Sequence, residues 1–439
     1  MIQFPVLSKR RTSGCNLGGC ILLLAVIVNA RPDTGAVLVF PPYGHSYGIR
    51  KASPQHLFMF FGPRTFFDDP QGLATARLAA WEDTTTEKDD DEVVVYGVNS
   101  GKHQIIYNTS MWTLGLYGKK GSGEEHFFCP KGIAANGRGD VFVADSGNNR
   151  VVQLFNPKSK LQWVRSFNGK SDGDPGLSGP NRIAIDEERR VYVTDPGNHR
   201  IVVFSGEGEL LRIFPPGKRA PIAIAVADGT HFWSFYRKER AVFYAENGGR
   251  DVVKCSLDGK VLRRGTMPKG YTAYYGAIDY YHNYWVTDFN HHCVIKFDHD
   301  LNQLAIFGSH GTGDNEFVEP RGITIYKRYG QVFVAEEKGA QYYWMGSNCT
   351  AASLGADETG GRYDLTVTAT EYSYASLFSV ISGDSVFFTT RRRIPPGETR
   401  IRVAGKNHDL LKIPLELCLE PTYSSYTYYA WYYPVAIRK

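Results

Sequence analysis

Val141-Phe142-Val143-Ala144-Asp145-Ser146-Gly147-Asn148-Asn149-Arg150-Val151 recurs as Val191-Tyr192-Val193-Thr194-Asp195-Pro196-Gly197-Asn198-His199-Arg200-Ile201. Each copy follows a small-sided piece, Pro130-Lys131-Gly132-Ile133-Ala134 and Pro180-Asn181-Arg182-Ile183-Ala184. The Val-aromatic-Val run alternates with period two and is β-branched, so it reads as a strand with two packed faces. The Gly/Asn-rich stretch behind it is a tight turn in which left-handed backbone costs little. The Arg-Val-Val and Arg-Ile-Val pieces are the next strand, and Leu161-Gln162-Trp163-Val164-Arg165-Ser166-Phe167 is a fourth.

Four weaker copies follow the same grammar. Pro70-Gln71-Gly72-Leu73-Ala74 leads to Val93-Val94-Val95-Tyr96. Pro221-Ile222-Ala223 leads to Val242-Phe243-Tyr244-Ala245-Glu246. Gly276-Ala277-Ile278-Asp279 leads to Tyr284-Trp285-Val286-Thr287-Asp288, and Pro320-Arg321-Gly322-Ile323 to Val332-Phe333-Val334-Ala335-Glu336. Six copies at roughly 40 to 60 residues match the period of a four-stranded propeller blade. The pattern resembles the NHL-repeat family of β-propellers over about two thirds of the chain. The expected fold is all-β: a six-bladed NHL-type propeller over 31–349, with a small C-terminal β-sandwich-like domain. One such sheet cannot bury both faces alone, and six packed radially can.

The last copy lacks a fourth strand. The aromatic run at 57–61 precedes the first copy, and the expectation is that it pairs with 341–345 and closes the ring, removing two edges. Residues 350–362 read as a linker. Residues 363–420 alternate with period two and suggest a small sandwich. The aromatic-rich tail, 421–439, is either a final strand or a contact surface.

Lys9, Arg10 and Arg11, then an apolar run over 21–28 and Val28-Asn29-Ala30, have the form of a secretory signal over 1–30. The run is too short to span a bilayer. A secreted or periplasmic chain with no transmembrane segment after signal removal is expected. Gly18-Gly19-Cys20 precedes the apolar run, which argues against a lipoprotein. Of the formal charge of +5, three charges lie before residue 31. The remainder is too near neutral for a nucleic-acid surface. Five cysteines follow the signal, an odd number without a C-x-x-C pair, so one or two bridges are conceivable and a zinc knuckle is not supported. Asn108-Thr109-Ser110 and Asn348-Cys349-Thr350 fit the glycosylation pattern. The run Glu87-Lys88-Asp89-Asp90-Asp91-Glu92 reads as a solvated loop within the first repeat, not as a calcium loop.

In a four-stranded meander the turn after the second strand shares a face with the start of the first. That face carries Asn99, Asp145, Asp195, Glu246, Asp288 and Glu336, and four residues on His103, Asn149, His199, Arg250, His292 and Ala340. The acids read as caps of their own tight turns, with an acidic collar as the competing reading. His103, His199 and His292 are spaced threefold around the ring, but zinc needs its ligands within about 2.1 Å of one point, and these turns lie toward the outer halves of the blades. The innermost strands read Leu73-Ala74-Thr75, Ile133-Ala134-Ala135, Ile183-Ala184-Ile185, Ile222-Ala223-Ile224, Ala277-Ile278-Asp279 and Ile323-Thr324-Ile325. Some propellers similar to this family are lyases or hydrolases with His and carboxylate ligands on these strands. Here only Asp279 is ionisable, poor material for acid–base or metal chemistry. The expectation is therefore an exported, non-catalytic scaffold without a cofactor or metal. It presents His103, Asn149, Arg150, His199, Arg200, Arg250 and His292 to a protein, peptide or glycan. The alternative is a metal-dependent propeller lyase or hydrolase, for which His231, His282 and Asp279 are the residues to watch.

Overall fold

The computed structural model describes residues 38–39, 51–81, 93–109, 113–214, 219–231, 234, 237–279, 281–313, 316–326, 331–345, 349–356, 362–369, 373–394, 397–404, 408–420, 422–423, 426–427 and 431–438. All belong to one compact unit, Pro32–Lys439. The expected signal, the acidic run at 87–92 and Asn348 lie outside the described residues.

Among the described residues six antiparallel meanders succeed one another along the chain. Blade I is Pro70–Ala76, Val94–Asn99, Gln104–Asn108 and Leu114–Tyr117. Blade II is Pro130–Ala135, Asp140–Asp145, Arg150–Phe155 and Gln162–Phe167. Blade III is Ile183–Ile185, Val191–Asp195, Arg200–Phe204 and Leu210–Ile213. Blade IV is Ile222–Asp228, Arg240–Glu246, Asp251–Cys255 and Val261–Thr266. Blade V is Tyr275–Ile278, Tyr284–Asp288, Cys293–Phe297 and Gln303–Phe307. Blade VI supplies Gly322–Tyr326, Gln331–Glu336 and Gly339–Met345. Each innermost strand lies against those of the blades before and after, and the first lies against the last. The sheets therefore close into a propeller.

Period-two alternation in the second strand sends its side chains to two different interfaces. Val141 and Val143 pack toward blade I, whereas Phe142 packs toward blade III. The same division repeats at Val242 and Phe243 and at Val286 and Trp285. Even the smallest of these clusters joins eight buried apolar side chains. At roughly 1.5–3 kcal/mol for each fully buried side chain, packing holds the blades together, and polar contacts decide their register.

Closure differs from expectation. The run at 57–61 is not a strand but most of a helix, Pro54–Phe61. Proline stands at its first turn after Ser53, whose N–H donates to His56 Nδ1 at 3.0 Å, and Gly62 ends it with φ 77°. Only Leu57 of the helix is buried. The fourth strand of blade VI comes instead from two shorter segments. Leu38–Val39 pairs with Met345 and Trp344, and Lys51–Ala52 pairs with Gln341 and Ala340.

Two further four-stranded sheets form a sandwich. One contains Gly397–Ala404, Arg362–Ala369, Cys349–Ala356 and Ala436–Arg438. The other contains Ser385–Ile394, Ser373–Ser382, Glu416–Glu420 and Trp431–Pro434. Leu354, Leu365, Phe378, Ile401 and Leu417 fill the space between them. The expected linker thus carries the strand Cys349–Ala356, and the tail supplies an edge strand to each sheet. The added strands enlarge a core that residues 363–420 alone leave small. All five described cysteines are free. Burial pushes the thiols of Cys255, Cys293 and Cys349 up to about 12.

Candidate functional site

The turn face is built by consecutive N–H groups at the lead-in to each blade. Phe128 N–H donates to Asp145 Oδ1 at 2.7 Å and Cys129 N–H to His103 Nδ1 at 3.0 Å. Ser178 N–H donates to Asp195 and Gly179 N–H to Asn149 Oδ1, each at 2.7 Å. Val318 N–H donates to Glu336 and Glu319 N–H to His292 Nδ1, each at 3.0 Å. In each pair the acid belongs to the blade being led into, and the imidazole or amide to the blade before it. The side chains therefore tie neighbouring blades together. The latch residues His103, Asn149 and His292 have φ between 51° and 58°, a left-handed backbone that turns each side chain toward the next blade.

The other lead-ins vary this scheme. In blade I, Asn99 Oδ1 accepts from Asp68 N–H at 2.7 Å. The turn of blade VI, however, is only Glu337-Lys338, so the residue before Gly339, the partner of Glu336, is Lys338 and not the expected Ala340, and its ammonium accepts no hydrogen bond. In blade V, Asp288 accepts from Thr272 N–H at 2.7 Å, and the Gly249 carbonyl accepts from Ala273 N–H at 2.8 Å. Glu246 instead pairs with Arg264 at 2.6 Å.

The arginines are also engaged. Arg150 Nε donates to Asp145 Oδ2 at 2.8 Å, and its other nitrogens donate to the carbonyls of Ser122, Gly123 and His126. Arg200 donates to Asp195 at 2.8 Å and forks onto Asp174 at 2.5 and 2.9 Å. That fork holds the Asp174 carboxyl down at about 2. Of the seven expected ligand-facing residues, His103, Asn149, Arg150, Arg200 and His292 thus serve the ring itself. His199 and Arg250 are exposed. Arg250 stands just before Asp251, the partner of Glu246, and so holds the latch position of blade IV, but the Gly249 carbonyl takes the Ala273 N–H in its place. The expectation for the acids is corrected likewise. Asp145 and Asp195 make no capping bond to the N–H groups of the turns that follow them; they hold the lead-in segments, whereas Asp288 does cap its own turn, Oδ1 accepting from the N–H groups of Asn290 and His291 at 2.9 and 3.0 Å.

His103 and His292 must be neutral to accept at Nδ1. Burial lowers both from the usual 6.5, with Lys120 adding to the effect at His103 and His310 at His292. A histidine with a lowered pKa in the folded chain supports the fold fully above about 6.5 and loses that support as pH falls through the folded value. The denaturation midpoint should therefore drop between about pH 7 and pH 5. Replacing both histidines by asparagine, the non-titrating solution at Asn149, should flatten that drop. Urea titrations at the two pH values measure it.

The axis is stoppered on this same face. Arg182 is 2% exposed. Its guanidinium lies 4.6 and 4.8 Å from the rings of Tyr274 and Tyr275 of blade V, and its Nε donates to the Tyr274 carbonyl at 3.2 Å. Tyr274 Oη donates to Gln71 of blade I at 3.1 Å, Gln71 donates to Asp69 at 2.8 Å, and Asp69 pairs with Arg321. Tyr275 Oη lies 3.5 Å from the Ile133 carbonyl of blade II. Blades III and V, V and I, and V and II are not neighbours, so these contacts cross the axis. The expectation of a bland aliphatic axis fails here because these residues stand ahead of the tripeptides read as innermost strands: Gln71 and Tyr275 near the starts of longer strands, Arg182 and Tyr274 just before theirs. A signal was present: Arg182 occupies the place of Gly72, Gly132 and Gly322 in the Pro-x-Gly motif.

The residues to watch for metal chemistry do not converge. Asp279 is fully buried and accepts from Tyr281 N–H, Asn283 N–H, Asn283 Nδ2 and Trp285 Nε1 at 2.8–2.9 Å. His282 lies 3.3 Å from Ser234 Oγ, and His231 3.6 Å from Glu187. Among the described residues no three His, Cys, Asp or Glu side chains are grouped to hold a metal. Asn108, the first glycosylation candidate, accepts from Val95 N–H at 2.7 Å and donates to the Val93 carbonyl at 3.0 Å, so its amide is already used within the sheet.

An exposed patch remains over blade I. Phe66 and Phe128 are 45% and 39% exposed. Lys102 Nζ is 3.5 Å from the Phe66 ring centre, and Lys120 Nζ is 5.6 Å from that of Phe128. His103, next to Lys102 in the chain, lies 5.6 Å from Phe128. Sequence reading missed both phenylalanines because they lie in lead-ins, outside the strand pattern.

The family model described as NHL repeat matches residues 127–154 and 177–204. No curated protein matches the chain. Among solved structures, the chain is similar to a streptogramin B lyase at 16% identity and TM-score 0.42, over 58% of this chain and 76% of that one. It is similar to a gluconolactonase from Xanthomonas campestris at 12% identity and TM-score 0.45, over 64% and 88%. A third likeness is to regucalcin, a calcium-binding protein from Agrobacterium tumefaciens, at 8% identity and TM-score 0.43, over 65% and 95%.

Proposed function

We propose, on the premise that this chain is an NHL-repeat β-propeller, that it is an exported, non-catalytic scaffold that binds a protein partner on its turn face. The observation that carries the reading is the joined patch of Phe66, Lys102, Phe128 and Lys120. Asp145, Asp195 and Glu336, with His103, Asn149 and His292, are engaged in latches, and the axis beside them is filled by Arg182 and Tyr275. What the face offers a partner is therefore aromatic surface beside positive charge. Such a patch suits an acidic segment bearing apolar side chains, since aromatic anchors carry much of the energy of interfaces and flanking lysines steer association.

The test is affinity capture from the extracellular fraction of the native source. Wild type is compared with a Phe66→Ser/Phe128→Ser variant and with a Lys102→Glu/Lys120→Glu variant. A partner retained by wild type should be lost from the first variant and bound at least tenfold more weakly by the second. Equal retention by all three contradicts the placement of the site. Metal analysis of the purified protein addresses the enzyme alternative: an ion held in the channel by two or more side chains contradicts the scaffold reading.

A further inference from the structure

Five of the six blade interfaces are filled by clusters of buried apolar side chains. The seam between blade VI and blade I instead holds a cavity of about 280 Å³. Its origin can be read by laying the blades in register. The position of Val143, Val193, Tyr244, Val286 and Val334, which points toward the preceding blade, is Gly97 in blade I. The position of Leu154, Phe204, Cys255 and Phe297 is Asn108. Across the seam, the position of Val151, Ile201, Val252 and Val294 is Ala340 in blade VI. Three large or branched side chains are thus replaced by small or polar ones on the two walls of one gap. The aromatic position reports the consequence. Tyr96, Phe142, Tyr192, Phe243 and Trp285 are wholly buried, while Phe333, which faces the seam, is only partly buried. The same seam lacks the blade-to-blade latch, because Lys338, a donor only, stands where blades I, II and V place an acceptor.

We propose that this seam is a binding site for a small, uncharged, carbon-rich molecule. The walls are mainly carbon, from Leu57, Leu73, Ile106, Phe333 and Tyr342. Among the described residues His56 is the sole lining His, Lys, Arg, Asp or Glu, and these offer a buried ligand charge no fixed counter-charge. The amides of Asn99 and Asn108 are already held by backbone partners. The volume equals roughly nine water molecules' share of liquid, enough for a two-ring compound. Interiors are otherwise close-packed. An unfilled apolar cavity is a standing loss of packing, which an apolar occupant recovers.

The test uses the full chain and the two-ring, uncharged fluorescent probe 1-aminonaphthalene. A Cβ at Gly97 would lie 3.3 Å from Leu73 Cδ2 and 3.8 Å from the Ile106 carbonyl, and φ there is not in the left-handed region. The Leu73 side chain must give by a few tenths of an ångström, and the cavity it lines leaves it room, so Gly97→Val suits the strand backbone and places its methyl groups in the cavity. Wild type should bind the probe saturably at one site. Gly97→Val should bind at least tenfold more weakly and melt at a higher temperature. Ala340→Val, from the opposite wall, should act in the same direction if the first variant fails to fold. Phe58→Ser/Met59→Ser, on the exposed face of the helix Pro54–Phe61, should bind as wild type does. Absence of saturable binding to wild type overturns the proposal. So does wild-type affinity in the folded filling variants, or loss of binding in the helix-face variant.

Discussion

Replacing Asp145 by alanine is expected to lower the unfolding free energy by about 3–5 kcal/mol, the cost of removing one partner of a buried ion pair. The carboxylate is fully buried. It serves three donors: the Phe128 N–H, the Asn148 amide and Arg150 Nε, at 2.7–2.8 Å. Its removal leaves the Phe128 N–H without its acceptor and the Arg150 guanidinium, 15% exposed, without its counter-charge. Asp195→Ala should cost less, because Arg200 keeps Asp174. Blade I supplies an internal control. There Asn99 faces Gln104 in the register that Asp145 and Arg150 occupy in blade II. The Asp145→Asn/Arg150→Gln double variant should therefore recover a large part of the loss seen in Asp145→Asn. Urea denaturation of these variants, together with Arg150→Gln alone, checks this. Independent, additive losses would show that the pair does not act as a unit.

The second large effect concerns closure. Deleting residues 1–52 removes the four residues that pair with the outer edge of Gly339–Met345. At roughly 1 kcal/mol for each net hydrogen bond, the loss is about 2–4 kcal/mol, and an exposed strand edge invites association. Deleting residues 1–31 removes none of these contacts and should leave the melting temperature unchanged. A paired-cysteine variant, Ala52→Cys with Ala340→Cys, joins partners that the register places opposite each other. It should oxidise within one chain and raise the melting temperature. If the deletion to residue 52 is neutral, or if the paired cysteines form only intermolecular bonds, the ring is not closed by these segments.

The repeat and the all-β class were legible because two faces per strand demand period-two alternation, and because the Asp-x-Gly-Asn turn is a local signal. Closure was misread for an instructive reason. The apolar run at 57–61 looks like a strand by composition, but Ser53 and Pro54 ahead of it and Gly62 behind it are helix punctuation, and the punctuation decided the outcome. The acids and imidazoles were found as positions but not as parts of a device. Their acceptors serve N–H groups that belong to a different part of the chain, 26 residues away for His103 and 30 for Asn149. A one-dimensional pattern shows that a residue recurs and not what it holds. Arg182, Gly97, Asn108 and Ala340 illustrate the complementary lesson. Each is a departure from its own repeat, and each departure marks a place where the ring does something the other blades do not.

The latch makes one prediction at a single atom pair. Residue-resolved amide exchange at pH 7 should show faster exchange at Cys129 N–H in His103→Ala, with Phe128 N–H still protected. The pattern should reverse in Asp145→Ala. Unchanged protection at Cys129 in folded His103→Ala would contradict the account. The imidazole would then be free of the neighbouring blade and available to a ligand.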